Sequence, residues 1–154
     1  MARASCGFND GDDGALGSDL LMIFGPTIFV DIGFDQKYRP KNKQVPLPNI
    51  KHMQALVDTG ATESCIDNLL ATELYLPIVD QWPISGAHGK HLTNIYLAQA
   101  HIPSLNFTIH GEFAGVDLIA GGQIHKMLIG RIFLRHFTMI YEGASGVVTL
   151  FKEK

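Results

Sequence analysis

The sequence predicts an all-β domain, either a small closed barrel or a sandwich, and three observations support this. Short apolar runs rich in β-branched and aromatic residues recur from Gly25 onward, separated by turn residues. Helical spacing is limited to two brief patches, at residues 67–76 and 132–137. Hydrophobic residues make up 46% of the 154 residues and charged residues 18%, so the chain is expected to fold around one core.

The predicted strands are short and are separated by residues that favour turns. They cover residues 26–32, 54–57, 93–100, 105–110, 115–119, 126–129 and 147–151. Between the first two strands, residues 36–49 contain Pro40, Pro46 and Pro48. Because proline cannot donate a hydrogen bond to a sheet, this segment is predicted to be an exposed loop.

Residues 1–24 are predicted to form a flexible acidic tail, and residues 25–154 the folded domain. The first 19 residues of the tail hold several glycines and serines and few apolar residues to bury. Its acidic residues are Asp10, Asp12, Asp13 and Asp19. A calcium-binding loop does not fit, because Gly14 takes the place of the third ligand and Leu21 that of the closing glutamate.

Composition argues against several classes of partner. A net charge of −3 without a cluster of Lys and Arg does not fit nucleic-acid binding. The early apolar stretch at residues 20–24 is too short to span a membrane, and no basic residues precede it as in a signal peptide. The two cysteines, Cys6 and Cys65, form no disulfide framework, which favours a reducing compartment. We therefore expect a cytoplasmic protein.

The candidate site is the segment Ala55-Leu56-Val57-Asp58-Thr59-Gly60-Ala61-Thr62-Glu63-Ser64. An apolar strand delivers an aspartate into a turn that contains a hydroxyl residue and then a glycine. A second element, Met127-Leu128-Ile129-Gly130-Arg131, follows downstream and leads into the predicted helical patch. Two matched elements in this order, on a strand-rich chain of this size, are a specific signal.

The two elements resemble the active-site loop and the apolar-Gly-Arg element of the retropepsins, the retroviral-type aspartic proteases, and suit a cellular or bacterial member. The resemblance covers residues 25–154. It implies a small closed β-barrel-like acid-protease domain with one short C-terminal helix. It also implies that Asp58, Thr59 and Gly60 form the catalytic loop, supported by Gly130 and Arg131.

The chemistry of this family requires two carboxylates close together, which share one proton. One carboxylate accepts a proton from water while the other donates to the peptide carbonyl, so no metal or cofactor is needed. The sequence contains no second Asp-Thr-Gly or Asp-Ser-Gly; Asp31-Ile32-Gly33 is nearest, but it lacks the hydroxyl. The second Asp58 is therefore expected from a symmetric homodimer. The resemblance implies interleaved terminal strands, for which residues 147–151 are the candidate.

The resemblance also implies a hairpin, or flap, that closes over a protein or peptide substrate. Residues 82–90 fit this position, because apolar residues flank a turn with two glycines. The residues expected to contact substrate are Ala61, Thr62, Ile84, Ser85, Gly86, Ala87 and Ile129.

The chain departs from the family in the partners of its arginine. Ile132 stands where retroviral enzymes usually carry Asn or Asp, and Thr62 where many carry an acidic partner for the arginine. Glu63 is the residue that could replace that partner. The loop at residues 36–49 and the N-terminal segment also make the chain longer than the viral enzymes.

Other interpretations remain open. His88 and His91 have a spacing that could hold a metal, but they lie in a predicted turn without a third ligand. Ser64 and Cys65 lie outside any known nucleophile motif, so a small buried cysteine is expected. The rival function is a retropepsin-fold dimerisation or peptide-binding module with weak or no catalysis.

Overall fold

The computed structural model describes residues 2–86 and 89–152 of the chain. In these residues the strands are β1 (Arg3–Ser5), β2 (Thr27–Gly33), β3 (Ile50–Val57), β4 (Cys65–Asp67), β5 (Ile78–Gly86), β6 (Gly89–Ile102), β7 (Phe107–Val116), β8 (Met127–Ile129), β9 (Thr138–Glu142) and β10 (Val147–Phe151). The helices are α1 (Gly17–Phe24), α2 (Asn68–Glu73) and α3 (Arg131–Leu134).

Six strands close into a barrel. The larger sheet has the order β2-β3-β8-β4-β7-β6-β5, and a further pairing between β2 and β6 joins its two sides. The ring therefore runs β2-β3-β8-β4-β7-β6, and β5 pairs with β6 outside it. This confirms the predicted all-β, closed fold class.

The core lies inside this ring because alternate residues of each strand point inward. Val30 and Ile32 of β2 are fully buried, as are Ile66 of β4, Phe113 of β7 and Ile129 of β8. No helix in the described residues is both long enough and apolar enough to cross a membrane.

A second, three-stranded sheet has the order β1-β10-β9, with both pairings antiparallel. β10 is its central strand, so the two ends of the chain meet here. The pairing joins Ala4 with Leu150, two residues that are both buried.

The N-terminal segment differs from the predicted flexible tail. Residues Arg3–Ser5 form a strand and Gly17–Phe24 a helix, and Ala4, Cys6 and Leu21 belong to the core. Met22 and Ile23 of the helix are exposed, but Ala4, Cys6 and Leu21 are buried. Composition underestimates the order of such a segment, because its buried apolar residues pack against residues that lie far away in the chain.

Other predicted elements differ in detail. The two helical patches correspond to α2 and α3, but α1 was not predicted. The described residues therefore contain three short α-helices, where the resemblance implied one. The separate strand at residues 115–119 is wrong: its first two residues end β7, and a turn follows in which the N–H of Gly121 donates to the carbonyl of Asp117 at 3.0 Å.

Candidate active site

Asp58 follows directly after β3, whose end is fixed on both sides. β3 pairs in parallel with β8, and Val57 lies opposite Ile129. The N–H of Val57 donates to the carbonyl of Pro26 at 2.8 Å, and the N–H of Asp58 donates to the carbonyl of Ile129 at 2.9 Å. Because both hydrogen bonds come from the buried end of the strand, the backbone at Asp58 has a fixed position.

The loop after Asp58 holds one of its carboxylate oxygens. The N–H of Gly60 donates to Asp58 Oδ1 at 2.8 Å, a local turn typical of aspartate. A Cβ at Gly60 would lie 3.1 Å from the same oxygen, so glycine leaves room for the carboxylate. Asp58 is half-buried, whereas Thr59 and Gly60 are exposed. The other carboxylate oxygen is therefore available for chemistry.

The second sequence element packs directly against this loop. The N–H of Arg131 donates to the carbonyl of Ala61 at 2.8 Å, and that of Ile132 to the carbonyl of Thr62 at 3.0 Å. The N–H of Gly130 donates to Ser64 Oγ at 3.1 Å. The two elements therefore meet through their backbones, at the start of α3.

Gly130 is required by this close approach. A Cβ at this position would lie 2.4 Å from the carbonyl oxygen of Glu63 and 3.0 Å from that of Ala61. No side chain fits between these backbone atoms without a shift of the loop. The glycine thus brings β8 and the Asp58 loop into contact.

The Arg131 side chain braces the loop from its exposed side. Its Nη1 donates to the carbonyl of Thr59 at 2.8 Å, and its Nη2 donates to the hydroxyl of Thr62 at 2.8 Å. The planar guanidinium group thus connects both sides of the loop. Thr62 supplies a neutral oxygen at the position where the resemblance implied an acidic partner.

Asp58 faces an open cleft of about 610 Å³. The residues around this cleft are mostly apolar and come from three parts of the chain. They are Gly25, Pro26, Leu56, Val57, Asp58, Thr59, Met139 and Tyr141. Of the described residues that line it, Asp58 alone carries a carboxylate.

Sequence reasoning missed Met139 and Tyr141 as cleft residues. They lie two positions apart on β9, a spacing that puts both side chains on one face of a strand. An apolar run directly after the predicted helix was the available signal.

The predicted flap is a hairpin of β5 and β6. Ile84 pairs with His91 and Gly86 with Gly89, so the strands stay paired to the turn. Ser85 is exposed, while Ala87 and His88 lie outside the described residues. The function of this hairpin as a flap, and the substrate contacts of Ile84, Ser85, Gly86 and Ala87, remain predictions.

Asp31, the aspartate of the nearest partial motif, is placed elsewhere. It lies within β2, where its Oδ1 accepts a hydrogen bond from the N–H of His52 at 2.9 Å. His52 has a positive φ of 55°, at an irregularity in the pairing of β2 and β3. Asp31 therefore stabilises a strand bulge.

Ser64 and Cys65 do not have the features of nucleophiles. Ser64 is buried and its hydroxyl binds the N–H of Gly130. Burial, together with the negative charges of Asp58 and Glu63, raises the pKa of the Cys65 thiol to about 11. The thiol is therefore neutral near pH 7.

A metal centre is not formed by the described residues. Among residues 2–86 and 89–152, no three or more His, Cys, Asp or Glu side chains are grouped so that they could hold a metal ion. His91 is exposed on β6.

Comparisons with known proteins identify the fold. No family model matches this sequence, and no curated protein matches it significantly. Two solved structures are similar. EIAV protease in complex with the inhibitor HBY-793 is 19% identical with a TM-score of 0.44, over 71% of this chain and 85% of that chain. A retropepsin-like aspartic protease from Rickettsia conorii is 13% identical with a TM-score of 0.50, over 96% of this chain and 90% of that chain.

The match to the Rickettsia protein spans nearly the whole of both chains. Its fold class agrees with the all-β architecture described above. At this level of identity, the similarity identifies the architecture alone. The chain thus has a retropepsin-like fold.

Proposed function

We propose that this protein is an aspartic endopeptidase that is active as a homodimer, with Asp58 from each copy forming the catalytic pair. The observation that carries this proposal is the Asp58 carboxylate. One of its oxygens is anchored by the N–H of Gly60, and the group lies beside an open, mostly apolar cleft. A fixed backbone and a free carboxylate oxygen suit a group that exchanges protons with water.

Two such carboxylates supply complementary chemistry. The ionised carboxylate accepts a proton from a water molecule, whose oxygen attacks the peptide carbonyl carbon. The protonated carboxylate donates its proton to the carbonyl oxygen, which gives a neutral tetrahedral diol. When the diol collapses, the carboxyl group that took the water proton gives it to the amine nitrogen and the other carboxylate accepts a proton from a diol hydroxyl. The C–N bond breaks, and the products are an acid and an amine. The chain's own residues suffice, so no metal or cofactor enters the reaction.

The surroundings of Asp58 fit an extended peptide substrate. The cleft is lined by Leu56, Val57, Met139 and Tyr141, which offer apolar contacts to substrate side chains. Ala61 is half-buried and Thr62 exposed next to the catalytic loop. Substrate contacts at these two residues, and at Ile129, are part of the proposal. Gly130 and Arg131 support the loop rather than contact substrate.

The test is cleavage of a mixed peptide library by the wild type and by Asp58→Asn. The wild type is expected to cleave, with a rate that rises more steeply than linearly with protein concentration, since one copy supplies half of the site. Asp58→Asn should fold and dimerise but lose at least about 10³-fold in rate, because the amide cannot transfer the proton. A pepstatin-type inhibitor should block the wild type.

Asp31→Asn is the matched control. Its amide oxygen can still accept the hydrogen bond from the N–H of His52, so the bulge and the activity should persist. Equal cleavage by wild type and Asp58→Asn would exclude the proposed mechanism. If confirmed dimers of the wild type cleave nothing, the peptide-binding module with weak or no catalysis is the better interpretation.

A further inference from the structure

The terminal sheet has its central strand fully paired within one chain. β10 bonds β1 on one side, from Arg3 opposite Phe151 to Ser5 opposite Thr149. It bonds β9 on the other side along its whole length. A strand has only two edges, so β10 has none left for a second copy. Interleaving of terminal strands around β10, as the resemblance implied, is not compatible with this order.

The β1 strand cannot easily be exchanged for a strand of another copy. Beyond the strand itself, the N–H of Cys6 donates to the carbonyl of Val148 at 2.8 Å, and that of Phe8 donates to the carbonyl of Gly146 at 2.9 Å. Ala4 is 1% exposed and Cys6 is 0% exposed. Displacing this segment would open the core, so the pairing of β1 with β10 is part of each folded subunit.

Among the described residues, no further strand pairs with the outer edge of β1 or with that of β9, and the two edges differ in character. The edge strand β1 carries exposed Arg3 and Ser5, and the Arg3 guanidinium lies 5.8 Å from the centre of the Phe151 ring. Charged residues on a short edge strand discourage further pairing. β9 holds the apolar run Met139, Ile140 and Tyr141, and its one charged residue, Glu142, lies at the end of the strand.

The β9 edge also borders the proposed active site. Met139 and Tyr141 line the same cleft as Asp58. Ile140 lies on the opposite face of the strand and is 47% exposed. A second copy that pairs along β9 is thus placed beside the cleft, where the second carboxylate is missing.

We propose that two copies pair through β9, antiparallel to one another about a two-fold axis that passes Ile140. The result is a six-stranded sheet with the order β1-β10-β9-β9-β10-β1 across the two copies. Each Ile140 then lies opposite its own counterpart, and the two Asp58 clefts face each other across the axis. This inference rests on the proposed function for its catalytic consequence. The pairing itself can be tested without any substrate.

This arrangement differs from interleaving in a measurable way. Every strand of a subunit is already paired inside that subunit, apart from the outer edges of β1 and β9 in this sheet. Dilution should therefore release folded monomers, because separation of the copies removes only the contact between the two β9 strands. Dissociation and unfolding are expected to be separate transitions.

The test uses opposite charges at position 140. In Ile140→Glu and in Ile140→Lys, like charges meet across the axis, which should raise the dissociation constant of the dimer by about a hundredfold. A mixture of the two variants should regain a dimer, because Glu then faces Lys. Sedimentation velocity measures the association, and circular dichroism checks that each variant is folded.

Ile78→Glu is the matched control. Ile78 is an isoleucine of similar exposure, 56%, on the edge strand β5 of the other sheet, so its substitution should leave the dimer unchanged. The proposal is overturned if both position-140 variants dimerise as the wild type does, if their mixture fails to regain the dimer, or if the wild type is monomeric at all concentrations.

Activity assays separate this inference from the proposed function. If the mixture regains the dimer but neither it nor the wild type cleaves peptides, the β9 interface stands and the protease assignment fails. If the wild type cleaves and Asp58→Asn does not, while the position-140 variants stay dimeric and active, the protease assignment stands and the β9 interface fails.

Discussion

The Asp58 loop and the N-terminal segment are both fixed by residues from the C-terminal part of the chain, but by different contacts. Around Asp58 the contacts are backbone hydrogen bonds and the exposed Arg131 guanidinium, and the loop residues Thr59, Gly60 and Thr62 are exposed. The N-terminal segment is held by buried apolar side chains and by the close approach of its backbone at Gly17 to Gly146.

Because of this difference, the two regions are expected to contribute separately to stability and to activity. Buried packing contributes most to the free energy of unfolding, whereas an exposed, hydrogen-bonded loop contributes little but positions its side chains. Substitutions in the N-terminal segment should therefore mainly lower stability, and those of exposed groups around Asp58 mainly activity. Gly130 is the exception, because there the loop meets β8 in a buried contact.

The largest effect is expected from deletion of residues 1–8. The loss of Ala4, Cys6 and β1 opens the core and one edge of β10, which should lower the free energy of unfolding by about 3–5 kcal/mol. Urea denaturation followed by circular dichroism measures it. A flexible tail predicts no change, so unchanged stability would contradict the packing of this segment. Asp12→Ala, an exposed residue of the same segment, should change stability by less than about 0.5 kcal/mol.

The next largest effect is expected from Gly146→Ala and Gly130→Ala. Each substitution should lower the free energy of unfolding by about 3 kcal/mol. A Cβ at Gly146 would lie 2.2 Å from the Gly17 carbonyl carbon, and its φ of 81° adds strain; a Cβ at Gly130 would lie 2.4 Å from the Glu63 oxygen.

Peptide cleavage by the folded fraction distinguishes these two variants. It should fall in Gly130→Ala, which shifts the Asp58 loop, and persist in Gly146→Ala. Gly111→Ala is the control, since no atom lies within 4 Å of its added Cβ. Similar losses of stability in all three variants would show that the close backbone contacts are not the cause.

Arg131→Lys should affect activity more than stability. Lysine cannot bond Thr59 and Thr62 with the same planar fork, so the loop loses its brace. Because the contact is exposed, the free energy of unfolding should fall by less than about 1 kcal/mol, while kcat falls several-fold. Arg135→Lys, one helical turn further on and also exposed, should change neither. An unchanged kcat in Arg131→Lys would contradict the proposed role of the Arg131 side chain in bracing the loop.

The smallest effect concerns the two thiols. Burial raises the pKa of Cys6 to about 12, and burial with the charges of Asp58 and Glu63 raises the pKa of Cys65 to about 11. In the unfolded chain both thiols ionise near pH 9. The contribution of the neutral thiols to the free energy of unfolding is therefore fully present below pH 9, and it is lost as the pH rises towards 11–12.

Alkylation of the native protein checks this ionisation. Cys65 should react before Cys6, and both more slowly than free cysteine at pH 8. Asp58→Asn removes one negative charge near Cys65, so the pKa of that thiol falls and its alkylation becomes faster. Faster alkylation of Cys6 than of Cys65 would contradict the deeper burial of the N-terminal segment.

Local patterns were enough to predict much of the barrel and the site. The strands β2, β3, β6, β8 and β10 follow from apolar runs with turn residues between them, and α2 and α3 from helical spacing. The contact of the two motifs follows from the resemblance they carry. The catalytic roles of Asp58, Thr59 and Gly60 remain predictions.

Other features depend on partners far away in the chain. Residues Arg3–Ser5 are a strand because β10 lies beside them. Met139 and Tyr141 are cleft residues because β9 and the end of β3 border the same cleft. Thr62 is a partner of Arg131 because the loop curves back to α3.

By itself, the sequence determined the class of fold, the place of the aspartate at the end of a buried strand and the need for glycine beside it. Alternation, turn residues and a short motif act over a few neighbours, so they can be read locally. Only the tertiary structure decided that the N-terminal segment joins the core and that β10 is paired on both edges. Such pairings depend on the free energy of burying residues from distant parts of the chain, which no local pattern contains.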